Sequence, residues 1–433
     1  MRIAFVRPSM SGRTTADALQ PLVFSVIAAL TPPGVRVDFY DAMATKLPAI
    51  LDVDAIALTV ETFAARAAYQ LADQYRTLGI PVIMGGYHPT LCPDEAAEHA
   101  DAIVIGEAED TWPQLLADLA AGTLQPRYHS SNQHPLDLML PPETPFNRRD
   151  YPPLGVLQFS RGCRYTCEFC SIHAFYGHRV RTRPIDAIIA EIAARREKLL
   201  FFADDNLFAD RDRARELFEA LIPLKKRWVC QISIDVARDP ELLALMRRAG
   251  AIMVLIGFES LEAANLKQMR KGANLLAADY SQAIANIKAA GLMIYGTFVI
   301  GYDHDTPETS HQLVDFATRH GFAIANFNPL MPMPGTALFT RLRDEGRLLH
   351  DRWWIDSQFR DGDAMVTPAR MSPAELTAAC REARFNFYSA SSIGRRARQN
   401  SSTPGTLGIH LIANLISRRE NRAKQGAQLG SSR

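Results

Sequence analysis

The chain has 433 residues, 47% of them hydrophobic, with a net charge of +1. That is enough to bury two or three cores, and the charge balance gives no reason to expect a nucleic acid or an acidic partner. Six scattered cysteines exclude a disulfide framework and call for a reducing compartment, so the cytoplasm is expected.

Met1 to Pro8 reads as a strand rather than a signal peptide. No apolar run is long enough to predict a spanning helix. Over residues 1–125 short apolar runs at Ile3–Val6, Val35–Tyr40, Ala55–Val60, Pro81–Met84 and Ala102–Ile105 alternate with helical patterns such as Thr62–Leu78. Such a βαβ series predicts a parallel, doubly wound sheet with helices on both faces. Ligands bind such sheets at the carboxyl ends of the strands. Those ends carry Pro8–Gly12, Thr59–Thr62, the pair Gly85 and Gly86, then Gly106 and Glu107. Two adjacent glycines allow close approach to a bulky ligand, but equally a tight turn. Residues 126–150, with Pro135, Pro141, Pro142 and Pro145, read as a linker.

After the apolar run at 156–159 stands Arg161-Gly-Cys-Arg-Tyr-Thr-Cys-Glu-Phe-Cys170. Iron-sulfur clusters of the four-iron type are normally held by four thiolates. The CxxxCxxC spacing of Cys163, Cys167 and Cys170 supplies three, which leaves one iron open to a small molecule. The competing reading is a Cys3His zinc site completed by His173. Cys92, Cys230 and Cys380 read as ordinary buried or half-buried thiols.

Six strand-helix units follow, with strands near 156–159, 199–204, 228–234, 251–258, 293–300 and 323–328, and helices such as Ile185–Lys198, Arg211–Leu224 and Ala277–Ala290. That is fewer than the eight of a closed barrel. The strand ends are polar beyond what a core needs: Asp204, Asp205 and Asn206, then Ser233, Glu259 and Gly301. Helix capping is an alternative use for the Asp-Asp-Asn run. Burial of Glu259 would be costly without a cationic or donor partner. No GxxxxGK, HExxH or GxGxxG motif occurs.

Residues 346–433 form the last region. Trp353 and Trp354 read as packing or as a roof over a substrate cavity, and Ser372–Tyr388 reads as a capped helix. From Ser391 on there are eight arginines or lysines against one acid, Glu420, beside an apolar stripe of Leu407, Ile409, Leu411, Ile412, Leu415 and Ile416. A basic amphipathic segment over 405–433 fits either an anionic membrane surface or docking on the protein with a solvated basic tail.

The CxxxCxxC loop, with the aromatic Phe169 before its last cysteine, resembles the signature of the radical-SAM superfamily. The resemblance implies a six-unit partial barrel over 151–345 and a [4Fe-4S] cluster on Cys163, Cys167 and Cys170. The open iron would chelate S-adenosyl-L-methionine, which one electron cleaves to a 5'-deoxyadenosyl radical. It further implies that Phe169 and Gly301 lie near the adenine. Glu259 would meet the amino or ribose groups, and Asp205, Asn206 and Ser233 the aminocarboxylate or the substrate.

The order of pieces in the first domain is similar to cobalamin-binding domains, with Gly12, Thr59 and the pair Gly85 and Gly86 on matching positions. Arg7 and Ser9 stand where the aspartate and the cobalt-ligating histidine would be, so cobalamin would bind without a histidine ligand. Met84–Thr90 and Gly106–Glu109, with Glu107 facing the cofactor, look like the cobalamin-associated branch of the superfamily. A contact from His88 to the corrin edge and a turn histidine with no role both remain open.

The domain order implies a cobalamin-dependent methyltransferase that methylates an unactivated carbon, and the basic amphipathic tail points to a small, hydrophobic, lipid- or tetrapyrrole-like substrate. A flavodoxin or ferredoxin would supply the electron. The alternatives are a radical-SAM oxidoreductase, cyclase or isomerase without methyl transfer, or a non-catalytic cobalamin or zinc protein.

Overall fold

The computed structural model describes residues 1–131, 133–138, 140, 144–276, 280–400 and 404–430. In the first domain β1 (Arg2–Arg7), β2 (Arg36–Asp41), β3 (Ala55–Thr59), β4 (Val82–Gly85), β5 (Ala102–Ile105) and β6 (Arg127–His129) form one parallel sheet in the order 2-1-3-4-5-6. Both faces are covered, which explains why the strands read as unbroken apolar runs. Ile3 and Phe5 pack with Phe24 and Trp112 on one side, while Ala4 and Val6 join Leu58, Met84 and Tyr69 on the other. The strand order reverses between β1 and β3, the place where doubly wound sheets open a crevice.

The linker expected over 126–150 begins later, because β6 belongs to the sheet and carries the first domain through residue 129. Three residues of mixed polarity give no periodic signal. What fixes them is Tyr128, which is buried and donates its hydroxyl to Asp118 at 2.8 Å. Pro141 and Pro142 lie outside the described residues.

The second sheet joins β7 (Gly155–Leu157) to β10 (Leu199–Phe202), β11 (Arg227–Ile232), β12 (Ala251–Glu259), β13 (Met293–Ile300) and β14 (Ile324–Pro329) in consecutive parallel order. This is the partial barrel of six units. Between β7 and β10 the chain makes a small antiparallel ribbon, β8 (Ser160–Arg161) with β9 (Arg181–Thr182), and the cysteine loop hangs from it. The helix expected over 277–290 is described at Tyr280–Ala289, residues 277–279 lying outside the described ones.

An open barrel leaves β14 with an edge of unpaired peptide groups, which invites wrong pairing. Three C-terminal helices, Pro373–Phe387, Ala390–Ala397 and Pro404–Lys424, supply side chains to that edge. The Tyr388 hydroxyl donates to Ala325 O at 2.9 Å, Arg384 Nε to Phe327 O at 2.9 Å and Asn414 Nδ2 to Ala323 O at 2.8 Å. The first of these helices opens on the expected cap, a reciprocal Ser372–Glu375 box with proline at its first position. Trp353 and Trp354 pack rather than roof a cavity: Trp353 is fully buried against Phe63 of the first domain and donates its indole to Pro332 O at 2.9 Å.

Candidate active site

The cysteine loop leaves the ribbon at Gly162, whose φ of +90° brings its Cα against the Arg179 carbonyl, so that any Cβ would collide with that oxygen. Glu168 anchors the middle of the loop, its N–H donating to Met269 O at 3.1 Å and its carbonyl accepting from Leu338 N at 2.9 Å. Cys167 is buried, while Cys163 and Cys170 are half-buried. Burial pushes the Cys167 thiol up to about 11 and raises that of Cys170. Thiols held neutral in this way become ligands when a metal displaces their protons.

Among the described residues no three His, Cys, Asp or Glu side chains converge as a single ion needs, and His173 turns its Nδ1 to Gly177 O at 3.2 Å. That contact turns the His173 Nδ1 away from the cysteines. Three cysteines on one loop fit a cluster that gives each thiolate its own iron.

The polar strand ends expected from the sequence meet at this loop. Asp205 accepts from Gly162 N at 2.8 Å, and burial pushes its carboxyl up to about 6. Asn206 is buried and directs its amide to Ser233 Oγ at 3.4 Å and Cys163 Sγ at 3.9 Å. Asp204, which the sequence leaves undecided, is fully buried and braces the ribbon, accepting from Phe159 N at 3.1 Å, from Ser160 N and from Ser160 Oγ at 2.5 Å. Burial pushes this carboxyl up to about 7.

Glu259 ends β12 with a φ of +63°, one of three non-glycine residues in the left-handed region among the described residues, at a register shift between β12 and β13. Backbone strain of this kind persists where surrounding structure enforces it and collects at functional sites. The residue is buried, as expected, but its compensating cation belongs to the protein: Lys271 Nζ stands 2.8 Å from Glu259 Oε1. Burial works against the charge on Lys271, yet the Glu259 carboxylate and the nearby Cys167 raise its pKa above the usual lysine range. The ammonium also lies 5.6 Å from the centre of the Phe169 ring. Gly257 makes the room, since a Cβ there would collide with Glu259 Oε1 and stand 2.9 Å from Lys271 Nζ. Sequence reasoning missed Lys271, which lies in an ordinary polar stretch twelve positions after its partner.

Gly301 has a φ of +120°, and a Cβ there would lie 2.9 Å from Leu376 and 3.2 Å from Leu330. Packing against the helix Pro373–Phe387 therefore requires this glycine, a reason separate from the close ligand approach that the resemblance implied.

At the first domain's strand ends Gly86 has a φ of +105°, and a Cβ would sit 3.0 Å from both Val60 N and Val60 O and 3.4 Å from Thr59 Oγ1. Gly12 is also left-handed, at +67°. Ser9 is buried and donates to Arg13 O at 2.8 Å, which keeps its hydroxyl inside its own loop. Thr62 Oγ1, just beyond β3, is buried without a hydrogen-bond partner among the described residues. Gly86 is thus required by packing against Val60, and it is the unsatisfied Thr62 hydroxyl at these strand ends that fits a large ring with peripheral amides, as cobalamin has. His88 faces elsewhere: it is fully buried, with Nε2 at 3.0 Å from Tyr69 OH and 3.2 Å from Glu95 Oε1, while Trp354 Nε1 donates to the same Glu95 oxygen at 2.8 Å. It is neither a corrin contact nor an idle turn residue.

Glu107, expected to face the cofactor, instead joins the two domains. Its Oε1 and Oε2 each accept from Arg181 at 2.7 Å, and Oε1 also accepts from Arg161 at 2.7 Å, the residue two places before Cys163. Arg161 further meets Glu109 at 2.7 Å. Beside this clamp Tyr87, which follows the glycine pair, packs its ring 4.6 Å from Phe175 of the short helix after Cys170 and hydrogen-bonds Tyr176. The carboxyl ends of the two sheets thus confront each other, with the cysteine loop between them.

Comparison with known proteins agrees with this arrangement. The model of the Radical SAM superfamily matches residues 157–317, and that of the B12 binding domain residues 12–116. The chain is 31% identical over 354 residues to the bacteriochlorophyllide d C-12(1)-methyltransferase of Chlorobaculum tepidum, covering 79% of this chain and 76% of that one. It is 29% identical to the hopanoid C-2 methylase of Rhodopseudomonas palustris, over 78% of this chain and 66% of that one. Its fold superposes on the radical S-adenosylmethionine methyltransferase TsrM of Kitasatospora setae, solved with cobalamin and a [4Fe-4S] cluster. That match has a TM-score of 0.64 at 14% identity and covers 98% and 99% of the two chains. A B12 domain whose strand ends face a three-cysteine loop, and close relatives that methylate, lead to one assignment: the chain belongs to the radical SAM superfamily, in its cobalamin-dependent methyltransferase branch.

Proposed function

We propose that this protein methylates an unactivated carbon of a hydrophobic small molecule, of polycyclic-lipid or tetrapyrrole type, held between the two confronting sets of strand ends. The observation that supports this reading is the Glu107–Arg161 and Tyr87–Tyr176 contact, which ties the strand ends of the first domain to the cysteine loop and the helix after it. The relatives' acceptors, a bacteriochlorophyllide and a hopanoid, support the substrate class.

In this reading Cys163, Cys167 and Cys170 hold the cluster, and Gly85, Gly86, Thr59 and Thr62 receive the corrin. When bound, the cluster with S-adenosylmethionine and cobalamin supply hydrogen-atom abstraction and methyl delivery. The chain's own residues do the positioning. The Glu259–Lys271 pair fixes a carboxylate beside the loop, with only Oε1 bonded among the described residues, and offers Oε2 to the amino group of S-adenosylmethionine. Asn206 and Ser233 present an amide and a hydroxyl to its aminocarboxylate. Asp205 steadies the loop through Gly162 N. A small redox protein such as flavodoxin or ferredoxin delivers the electron.

The test is anaerobic turnover of reconstituted protein with bacteriochlorophyllide d and a hopanoid as probes. Methylated product should form with one S-adenosylhomocysteine and one 5'-deoxyadenosine per turnover. If 5'-deoxyadenosine forms and S-adenosylhomocysteine does not, the chemistry is radical but not methyl transfer.

A further inference from the structure

The helix Pro404–Lys424 is amphipathic in an inverted sense. Its inward face carries Thr406, His410, Asn414 and Glu420, all buried, whereas Leu411, Ile412 and Leu415 are 40%, 61% and 61% exposed. The edge of β14 explains the polar inward face. Asn414 donates to Ala323 O at 2.8 Å and accepts from Arg396 at 2.9 Å, and Arg396 in turn donates to Phe322 O at 2.9 Å and Ala323 O at 3.0 Å. Glu420 reaches the first domain, accepting from Ala16 N at 3.4 Å. A helix that spends its polar side on backbone groups has only its apolar side left for the exterior.

What continues that outward side is basic. At about 100° per residue, Arg418, Arg419 and Arg422 fall on the same face as Leu411 and Leu415, one to two turns further on. Among the described residues none of the three makes an ion pair, the last turn's acid–base contacts being Lys424 with Asp17 and Glu420. We propose that this face docks on an anionic lipid bilayer, with Leu411, Ile412 and Leu415 entering the headgroup–acyl boundary and the arginines meeting acidic headgroups. Exposed leucine and isoleucine beside uncompensated arginines are the two features such a surface selects. The same charge argues against a second copy of this face as the occupant, since a twofold contact would set arginines against arginines. The docked helix crosses nothing: no described helix is long and apolar enough to span a membrane. This inference goes beyond the reaction proposed above and stands independently of it.

The test uses the full-length holoprotein and flotation with phosphatidylcholine vesicles, with or without phosphatidylglycerol. Wild type should float only with the anionic vesicles and be released by rising salt. Arg418→Gln, Arg419→Gln and Arg422→Gln should each lower partitioning by about fivefold. Leu411→Ser combined with Leu415→Ser should lower it on the order of tenfold. Leu411, Leu415, Arg419 and Arg422 are exposed and Arg418 is half-buried without an ion pair among the described residues, so thermal melting and iron content should stay at wild-type values and separate surface loss from misfolding. Failure of wild type to float, or flotation of the triple arginine variant equal to wild type, overturns the proposal. So does a sedimentation dimer that the leucine substitutions abolish without altering flotation, because the face would then cover a second copy.

Discussion

The strand ends of the first domain and those of the barrel solve different recognition problems in different materials. The first domain offers Gly85, Gly86, Thr59 and Thr62, with shape, backbone and one unsatisfied hydroxyl in place of charge. The barrel offers thiols, Asp205, Asn206 and a buried Glu259–Lys271 pair. In the proposed reading a bulky ring rests on backbone and hydroxyl groups at strand ends whose glycines pack tightly against Val60 and Val104. In the same reading a small zwitterionic nucleotide and a cluster meet groups whose charge must itself be compensated inside the protein. Substitutions in the two regions should therefore fail in different ways.

The largest effect belongs to the loop. Cys163→Ala should abolish bound iron and 5'-deoxyadenosine formation while leaving corrinoid content near wild type, measured as iron and cobalt per chain by elemental analysis. Loss of both metals together would break the division between the two sites.

Next comes Lys271→Met, which leaves the Glu259 carboxylate without its cation and should cost about 3 kcal/mol in anaerobic denaturant unfolding. Adding Glu259→Gln should recover most of that stability without restoring turnover, because the charge that needed a partner is gone. Equal stability losses for the single and double variants would remove the electrostatic account of this pair.

Gly86→Ala places a Cβ against the Val60 backbone in a conformation that alanine rarely adopts, at a cost of about 1–3 kcal/mol. Cobalt content should fall with iron unchanged, the mirror image of the cysteine variant. Unchanged cobalt would mean that the ring sits away from this glycine.

The smallest effect on the two sites is at Glu95, which reaches the first domain's glycine pair only through His88. Burial opposes its charge, but hydrogen bonds from His88, Trp354 and Tyr69 hold its carboxyl at about 2, below the ordinary value of 4.5. A depressed folded pKa contributes stability that is present above about pH 4.5 and is lost as pH falls towards 2. Glu95→Gln should therefore flatten the acid limb of the unfolding profile over that window while leaving iron and cobalt content alone.

Much of this was readable in advance. Strand runs such as Ala102–Ile105 and 293–300 emerge with the bounds their periodicity predicts, because a buried parallel strand must be apolar on both sides. The short β6 and the ribbon of β8 and β9 were invisible, since two or three residues carry no period and are held by distant partners such as Asp118 and Asp204. Glu107 shows the same limit within a site. Its position after a strand end was legible, but its attachment to Arg161 and Arg181 depends on how two separately folded sheets meet.

The sequence by itself determined the three-thiolate loop, the two βα series and the family they announce, because ligand spacing and hydrophobic period are local properties of the chain. Only the tertiary structure decided which cation neutralises Glu259, which domain Glu107 serves and which side of the C-terminal helix faces outward. Each of those depends on what another segment needs when it arrives: a buried carboxylate its countercharge, an open sheet edge its donors. That demand is set by the packing of segments far apart in sequence, which no local pattern records.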